Sequence, residues 1–138
     1  MRSNIHEVVV EFGHCDPAGI VFYPNYYRWF DAGTCHLFDA VGQSWKQLKA
    51  RYGIIGVPLL EAHAKFLMSA TFGETLQIES TIVEWGRKTF VVKHTVRRGA
   101  SVLAEGSETR VFVATYPEDE TRIKAVAVPE AVKAAFAG

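Results

Sequence analysis

The hydrophobic pattern changes period near residue 25. Before it, residues 7–12 form a valine-rich run closed by Gly13, which predicts a first β-strand. Two prolines, Pro17 and Pro24, then bracket an apolar turn. From Asn25 onward the spacing is helical: Tyr26, Phe30, Gly33, Leu37, Ala40 and Val41 fall on one face. Asn25 is placed to cap this helix and Gly42 to end it. Gly33 lies within the apolar face, where a missing side chain lets the helix sit close to a sheet. A second helical piece, residues 44–51, completes the segment before Gly53.

Past Gly56 the period becomes two. Glu61, His63 and Lys65 alternate with Ala62, Ala64 and Phe66. Gly73-Glu74 turns the chain into a strand at 75–85, and Gly86 breaks it before another at 88–98, where Phe90, Val92, His94 and Val96 share a face. Gly99-Ala100-Ser101 is a hairpin connection to 102–115. Residues 117–121 turn into a last strand at 122–128, and 129–137 read as a terminal helix. One strand, one long helix, then four or five successive antiparallel strands predict an α+β architecture with the helix on one face of the sheet. So much sheet against a lone helix leaves strand edges that need a partner subunit.

Composition narrows the function classes. A chain of 138 residues, 49% hydrophobic and 22% charged, suits one domain spanning 1–138 with a packed core. Fifteen basic residues balance fifteen acidic ones, so no global field draws in nucleic acid or an anionic membrane. No apolar run is long enough to span a bilayer. The first residues show no signal-peptide pattern, which makes the cytoplasm the expected location. Cys15 and Cys35 are then expected as free thiols. No His/Cys/Asp/Glu spacing suggests a metal site, and nothing calls for a cofactor.

The candidate chemistry sits where the first strand hands over to the helix. The first N–H groups of a helix lack internal acceptors and lie at the positive end of its dipole. They can hold a carbonyl oxygen as it becomes negative during acyl transfer. Pro24 has no N–H, so the donors fall at Tyr23 and before it, and Gly19 lets the backbone approach a ligand. Asp16, a few residues upstream, could act as a nucleophile or position a water; a thioester is reactive enough for one carboxylate and an oxyanion site. Residue types alone leave a second reading open, in which Asp16-Pro17 simply starts a turn.

The motif is longer than this chemistry requires. His14-Cys15-Asp16-Pro17-Ala18-Gly19-Ile20-Val21-Phe22-Tyr23-Pro24-Asn25-Tyr26 is followed by Arg28-Trp29-Phe30-Asp31, Gly53-Ile54-Ile55-Gly56, Glu84-Trp85-Gly86-Arg87-Lys88-Thr89-Phe90 and Arg110-Val111-Phe112. Together these resemble the 4-hydroxybenzoyl-CoA thioesterase family over nearly the whole chain. The resemblance implies a hot-dog fold, in which an antiparallel sheet wraps one long central helix, and a homo-oligomer built as a dimer of dimers. It implies hydrolysis of an acyl-CoA, with an aromatic acyl group such as hydroxybenzoyl or benzoyl, to free acid and CoA. Asp16 is then the catalytic carboxylate, and the backbone N–H of Tyr23 polarises the thioester carbonyl. Arg87, Lys88 and Lys124 meet the CoA phosphates. Asp31 faces the acyl ring and its hydroxyl. Two positions depart from the family pattern: Gly86 stands where another arginine is frequent, and Val57 where a polar residue tends to flank the ring.

Val57 leaves a short- or medium-chain aliphatic acyl group open as the alternative substrate. A non-catalytic acyl-CoA-binding module and an enoyl-CoA hydratase are further rivals. The first of these lacks an added DNA-binding segment here, and the second lacks a histidine a few residues after Asp16. Cys15 with His14 as base is geometrically poor, since neighbours in an extended loop point apart. His63 and His94 read as packed or surface histidines. For Arg87, Lys88 and Asp31 the plain alternative is a solvated surface charge.

Overall fold

The computed structural model describes residues 2–138. Strand β1 (Ser3–Val9) is followed by a short 3-10 turn at Phe12–His14 and the long helix α1 (Pro24–Ala40). Helix α2 (Trp45–Tyr52) comes next. Ser44 caps it, its hydroxyl accepting from the Gln47 N–H, and Gly53 ends it in the left-handed region at φ 69°. The strands that follow are β2 (Ile54–Gly56), β3 (Leu59–Phe66), β4 (Thr75–Trp85), β5 (Thr89–Arg98), β6 (Ser101–Val111), β7 (Val113–Tyr116) and β8 (Asp119–Ala125), before a short helix α3 (Glu130–Ala135).

The main sheet is antiparallel with order β1-β4-β5-β6-β3 and curls around α1. A second sheet of three strands has order β2-β7-β8. Several expectations needed correction. The first strand begins four residues and ends three residues earlier than its valines suggested. The run expected at 102–115 is two strands, because the Phe112 backbone leaves the main ladder: its N–H donates to Lys88 O (2.9 Å) and its C=O accepts from Val126 N–H (2.8 Å). That detour swings β7 into the second sheet, whose strand β2 carries too few residues to show a period. Asn25 does not cap α1; Pro24 holds the first helical position, and the Asn25 side chain donates to His14 O (2.9 Å).

The core is divided by a polar layer. One apolar half gathers Tyr26, Phe30, Leu76, Ile78, Val96 and Leu103. The other gathers Leu37, Phe38, Ile82, Phe90, Val92 and Phe112. On each of α1, β4, β5 and β6 a buried polar residue separates the halves: Thr34, Ser80, His94 and Glu108. A belt of polar groups this deep survives only when its members satisfy one another.

Candidate active site

The loop before α1 is a small hairpin. Gly19 N–H donates to Asp16 C=O (2.9 Å), Asp16 N–H donates to Ile20 C=O (2.9 Å), and Cys15 pairs with Val21. Pro17 suits the second turn position, and Gly19, at φ 82°, supplies the left-handed residue that closes such a turn. The Asp16 carboxylate takes part, with Oδ1 accepting from Ala18 N–H (2.9 Å). The turn reading and the functional reading are therefore compatible. One oxygen is held by the turn, while no partner for Oδ2 lies within hydrogen-bonding distance among the described residues.

Tyr23 stands at the other side of the same opening. Helix α1 starts in a tight 3-10 turn: Asn25 N–H donates to Phe22 O (3.0 Å) and Tyr26 N–H to Tyr23 O (3.1 Å). Pro24 has no N–H. The Tyr23 N–H is therefore the donor of the helix start left without an acceptor among the described residues. Asp16 and Tyr23 both line one open cavity of about 400 Å³. Its apolar wall comes from Phe22, Tyr26, Phe66 and Leu67, so it sits at the end of the edge strand β3.

The other expected site residues are elsewhere. Asp31 and Val57 line a second cavity of about 390 Å³ with Trp45, Ile55, Pro58 and Arg110. Asp31 lies eight residues beyond Tyr23 on α1, about 12 Å along a helix axis. In one chain the expected catalytic pair and the expected acyl-ring contact are thus in different cavities. Arg87 and Lys88 occupy the β4–β5 turn, docked to the exit of β8 by the Val128 N–H to Arg87 O bond (2.9 Å). Lys124 projects from β8 with its ammonium 5.2 Å from the Tyr116 ring centroid, and Arg122, overlooked in the sequence, lies 4.4 Å above the same ring. At Gly86 a Cβ would collide with Thr89 Oγ1, so an arginine there would displace Thr89.

Sequence reasoning also missed the groups behind Asp31. The Arg110 guanidinium, 6% exposed, donates to Asp31 Oδ1 (2.7 Å), Val57 O (2.9 Å) and Glu108 Oε2 (2.7 Å). Glu108 accepts in turn from Thr34 Oγ1 (2.7 Å) and His94 Nε2 (2.8 Å). Burial alone would raise the Glu108 pKa; hydrogen bonds and charge from His94 and Arg110 outweigh it and hold the carboxyl near 2. His94 Nε2–H donates to the Glu108 carboxylate, and the other ring nitrogen, Nδ1, lies 2.7 Å from the Ser80 hydroxyl. Ser80, His94 and Glu108 are arranged like a hydrolytic triad, yet Ser80 and His94 are fully buried, so no substrate reaches that hydroxyl. Cys15 and Cys35 are both free thiols. No three-residue grouping capable of holding a metal ion occurs among the described residues.

A sheet curled around one long helix is the architecture of a hot-dog-fold thioester hydrolase, and in this chain Asp16 and Tyr23 line one cavity beside the helix start. Residues 10–136 match the thioesterase-like superfamily, and the chain belongs to it. It is similar to the 4-hydroxybenzoyl-CoA thioesterase of Pseudomonas sp. (strain CBS-3), with 40% identity over 134 residues and 93% of each chain covered. A crystal structure of a 4-hydroxybenzoyl-CoA thioesterase, an aspartate-to-asparagine mutant complexed with 4-hydroxybenzoyl-CoA, superposes with a TM-score of 0.89 at 36% identity, covering 99% of this chain and 100% of that one. A gentisyl-coenzyme A thioesterase matches with a TM-score of 0.82 at 32% identity, covering 98% and 100%.

Proposed function

We propose that this protein hydrolyses aromatic acyl-CoA thioesters to the free acid and CoA. The observation that carries the reading is the Tyr23 N–H, left without an acceptor in the cavity that Asp16 also lines. The thioester carbonyl oxygen docks on that N–H at the positive end of α1, where the charge of the tetrahedral intermediate develops. Either Asp16 attacks the carbonyl carbon, expelling the CoA thiolate and leaving a mixed anhydride that water then hydrolyses, or it deprotonates a water that attacks the carbonyl and expels the thiolate directly. Gly19 leaves space beside the turn for the substrate. Arg87, Lys88 and Lys124 take the CoA phosphates; the docking of the β4–β5 turn against the exit of β8 supports this grouping.

The aromatic acyl group is supported by the second cavity, where Trp45, Ile55 and Val57 make an apolar wall and Asp31 adds one carboxylate. The similar proteins named above act on hydroxylated aromatic thioesters. Val57 supports the aliphatic alternative, because it places no polar group beside the ring. Benzoyl-, 4-hydroxybenzoyl- and straight-chain acyl-CoA substrates, followed by release of free thiol, decide between the two. The aromatic thioesters should exceed the aliphatic ones in kcat/KM by about tenfold or more. Aliphatic preference would replace the substrate class, and hydrolysis of none would end the thioesterase reading.

A homo-oligomer reconciles the two cavities. Strand β3 is an exposed edge, with Phe66 beside the Asp16 cavity and Pro58 beside the Asp31 cavity at its opposite end. Antiparallel pairing of β3 with a second copy would set each Asp16 beside the partner's Asp31 cavity and remove the open edge. Two such dimers form the proposed tetramer. A monomer at assay concentration in sedimentation would overturn the assembly. Location in the cytoplasm is proposed with it, and the two free thiols fit a reducing compartment. No helix among the described residues is long and apolar enough to cross a membrane.

A further inference from the structure

We infer that Arg110 is the positioning residue for substrate discrimination: it fixes the Asp31 carboxylate so that one oxygen, Oδ2, is presented to a hydrogen-bond donor on the acyl ring. This rests on the reading of Asp31 as the acyl-ring contact.

Asp31 is 70% exposed on the side of α1, and an exposed aspartate ordinarily samples several rotamers. Arg110 removes that freedom. Its Nη2 donates to Asp31 Oδ1 at 2.7 Å, and the guanidinium is itself held at Val57 O by Nη1 and at Glu108 by Nε and Nη2. A planar fork bonded on several sides has one orientation, which a lysine could not reproduce. Behind it, Glu108 is tied to Thr34 and His94, and His94 to Ser80. The chain of contacts runs from β4 through β5 and β6 to α1, so the Asp31 carboxylate is braced against the rigid sheet and not merely against its own helix. With Oδ1 occupied, Oδ2 has no partner among the described residues. Asp31 lines a cavity whose other walls are mainly apolar. A ring carrying a hydroxyl at its far end satisfies that oxygen; an unsubstituted ring buries it unpaired, which is the stronger source of discrimination.

The test compares kcat/KM for 4-hydroxybenzoyl-CoA and benzoyl-CoA in the same enzyme preparation. Their ratio cancels any difference in the amount of folded protein, a readout that a purely structural role for Arg110 would not move. The wild type should favour the hydroxylated ring, and Asp31→Ala should reduce the ratio about tenfold or more. Arg110→Met should reduce it by a similar factor and add little when combined with Asp31→Ala. Because Arg110→Met strands the buried Glu108 charge, Glu108→Gln/Arg110→Met is made beside it, removing both charges together. The same loss of preference in that variant supports the inference. An unchanged ratio in either Arg110 variant, with the ratio lost in Asp31→Ala, overturns it. An unchanged ratio in Asp31→Ala, or a wild type without preference, overturns instead the reading of Asp31 on which it rests.

Discussion

Gly33 on α1 faces the Ser80 hydroxyl on β4 with no room for a side chain between them. A Cβ at Gly33 would run into Ser80 Oγ and meet His94 Nδ1 at 3.3 Å and His6 Cε1 at 3.4 Å. The helix is seated this deeply because the residue is glycine, and the seating brings Thr34 within reach of Glu108. Gly33→Ala gains helix propensity but forces the helix away from the buried polar belt. The net expected cost is roughly 1–3 kcal/mol, read as a lower midpoint in urea unfolding. An unchanged midpoint would show that the belt yields without loss.

Asp16 has two separable tasks. Asp16→Asn keeps an oxygen able to accept from Ala18 N–H, so the turn survives while the carboxylate is lost. The thermal midpoint should stay put and kcat should fall by roughly 10²–10⁴, with KM little changed. Asp16→Ala removes the turn bond as well and should add about 0.5–1.5 kcal/mol of destabilisation. Full activity in Asp16→Asn would strip the residue of its proposed role.

Lys88 tests the phosphate assignment. If it holds only the nucleotide end of CoA, Lys88→Ala should raise KM roughly three- to tenfold at unchanged kcat, and the effect should shrink in high salt. An equal fall in kcat and kcat/KM would mean that it acts on the transition state.

His6 gives the fold an acid limit. Both ring nitrogens are buried without a hydrogen-bond partner, and the ring lies 4.7 Å from His36. Burial, then the nearby His36 and His94, push its pKa down from 6.5 to about 4. The folded protein therefore keeps His6 neutral over a range in which an unfolded chain has already bound the proton. Unfolding takes up a proton between those values, so this contribution is complete above pH 6.5 and is lost as pH falls towards 4. The loss is at most on the order of 3 kcal/mol, and smaller where solvent screens the partly buried ring. His6→Leu should flatten the stability profile across that window; an identical slope in the variant would place the acid sensitivity elsewhere.

The elements that depend on near neighbours were legible in the sequence. The helical face from Tyr26 through Phe30 and Gly33 to Leu37 and the Asp16-Pro17-Ala18-Gly19 turn follow from backbone preferences acting over a few residues, whereas the cap expected at Asn25 did not form. Gly33 was legible too, because a glycine inside an apolar helical face signals a close approach. The long motif singled out Asp16 and Tyr23 as the proposed reacting groups, and in the tertiary structure both line one cavity. The detour at Phe112 was not legible: it depends on partners at Lys88 and Val126, which no local pattern announces.

The buried polar belt marks the boundary between the two kinds of information. Alternation along β5 already turned His94 inward beside Phe90, Val92 and Val96. Nothing in one strand's pattern could show that Ser80, Glu108 and Thr34 would arrive beside it, since that depends on the order β1-β4-β5-β6-β3 and on how deeply α1 sits. The same holds for Asp31. Its place on the helix could be read from spacing, whereas its pairing with Arg110, 79 residues away, exists only once β6 lies beneath the helix. Local sequence determined which residues were able to do the chemistry; long-range packing decided which of them meet.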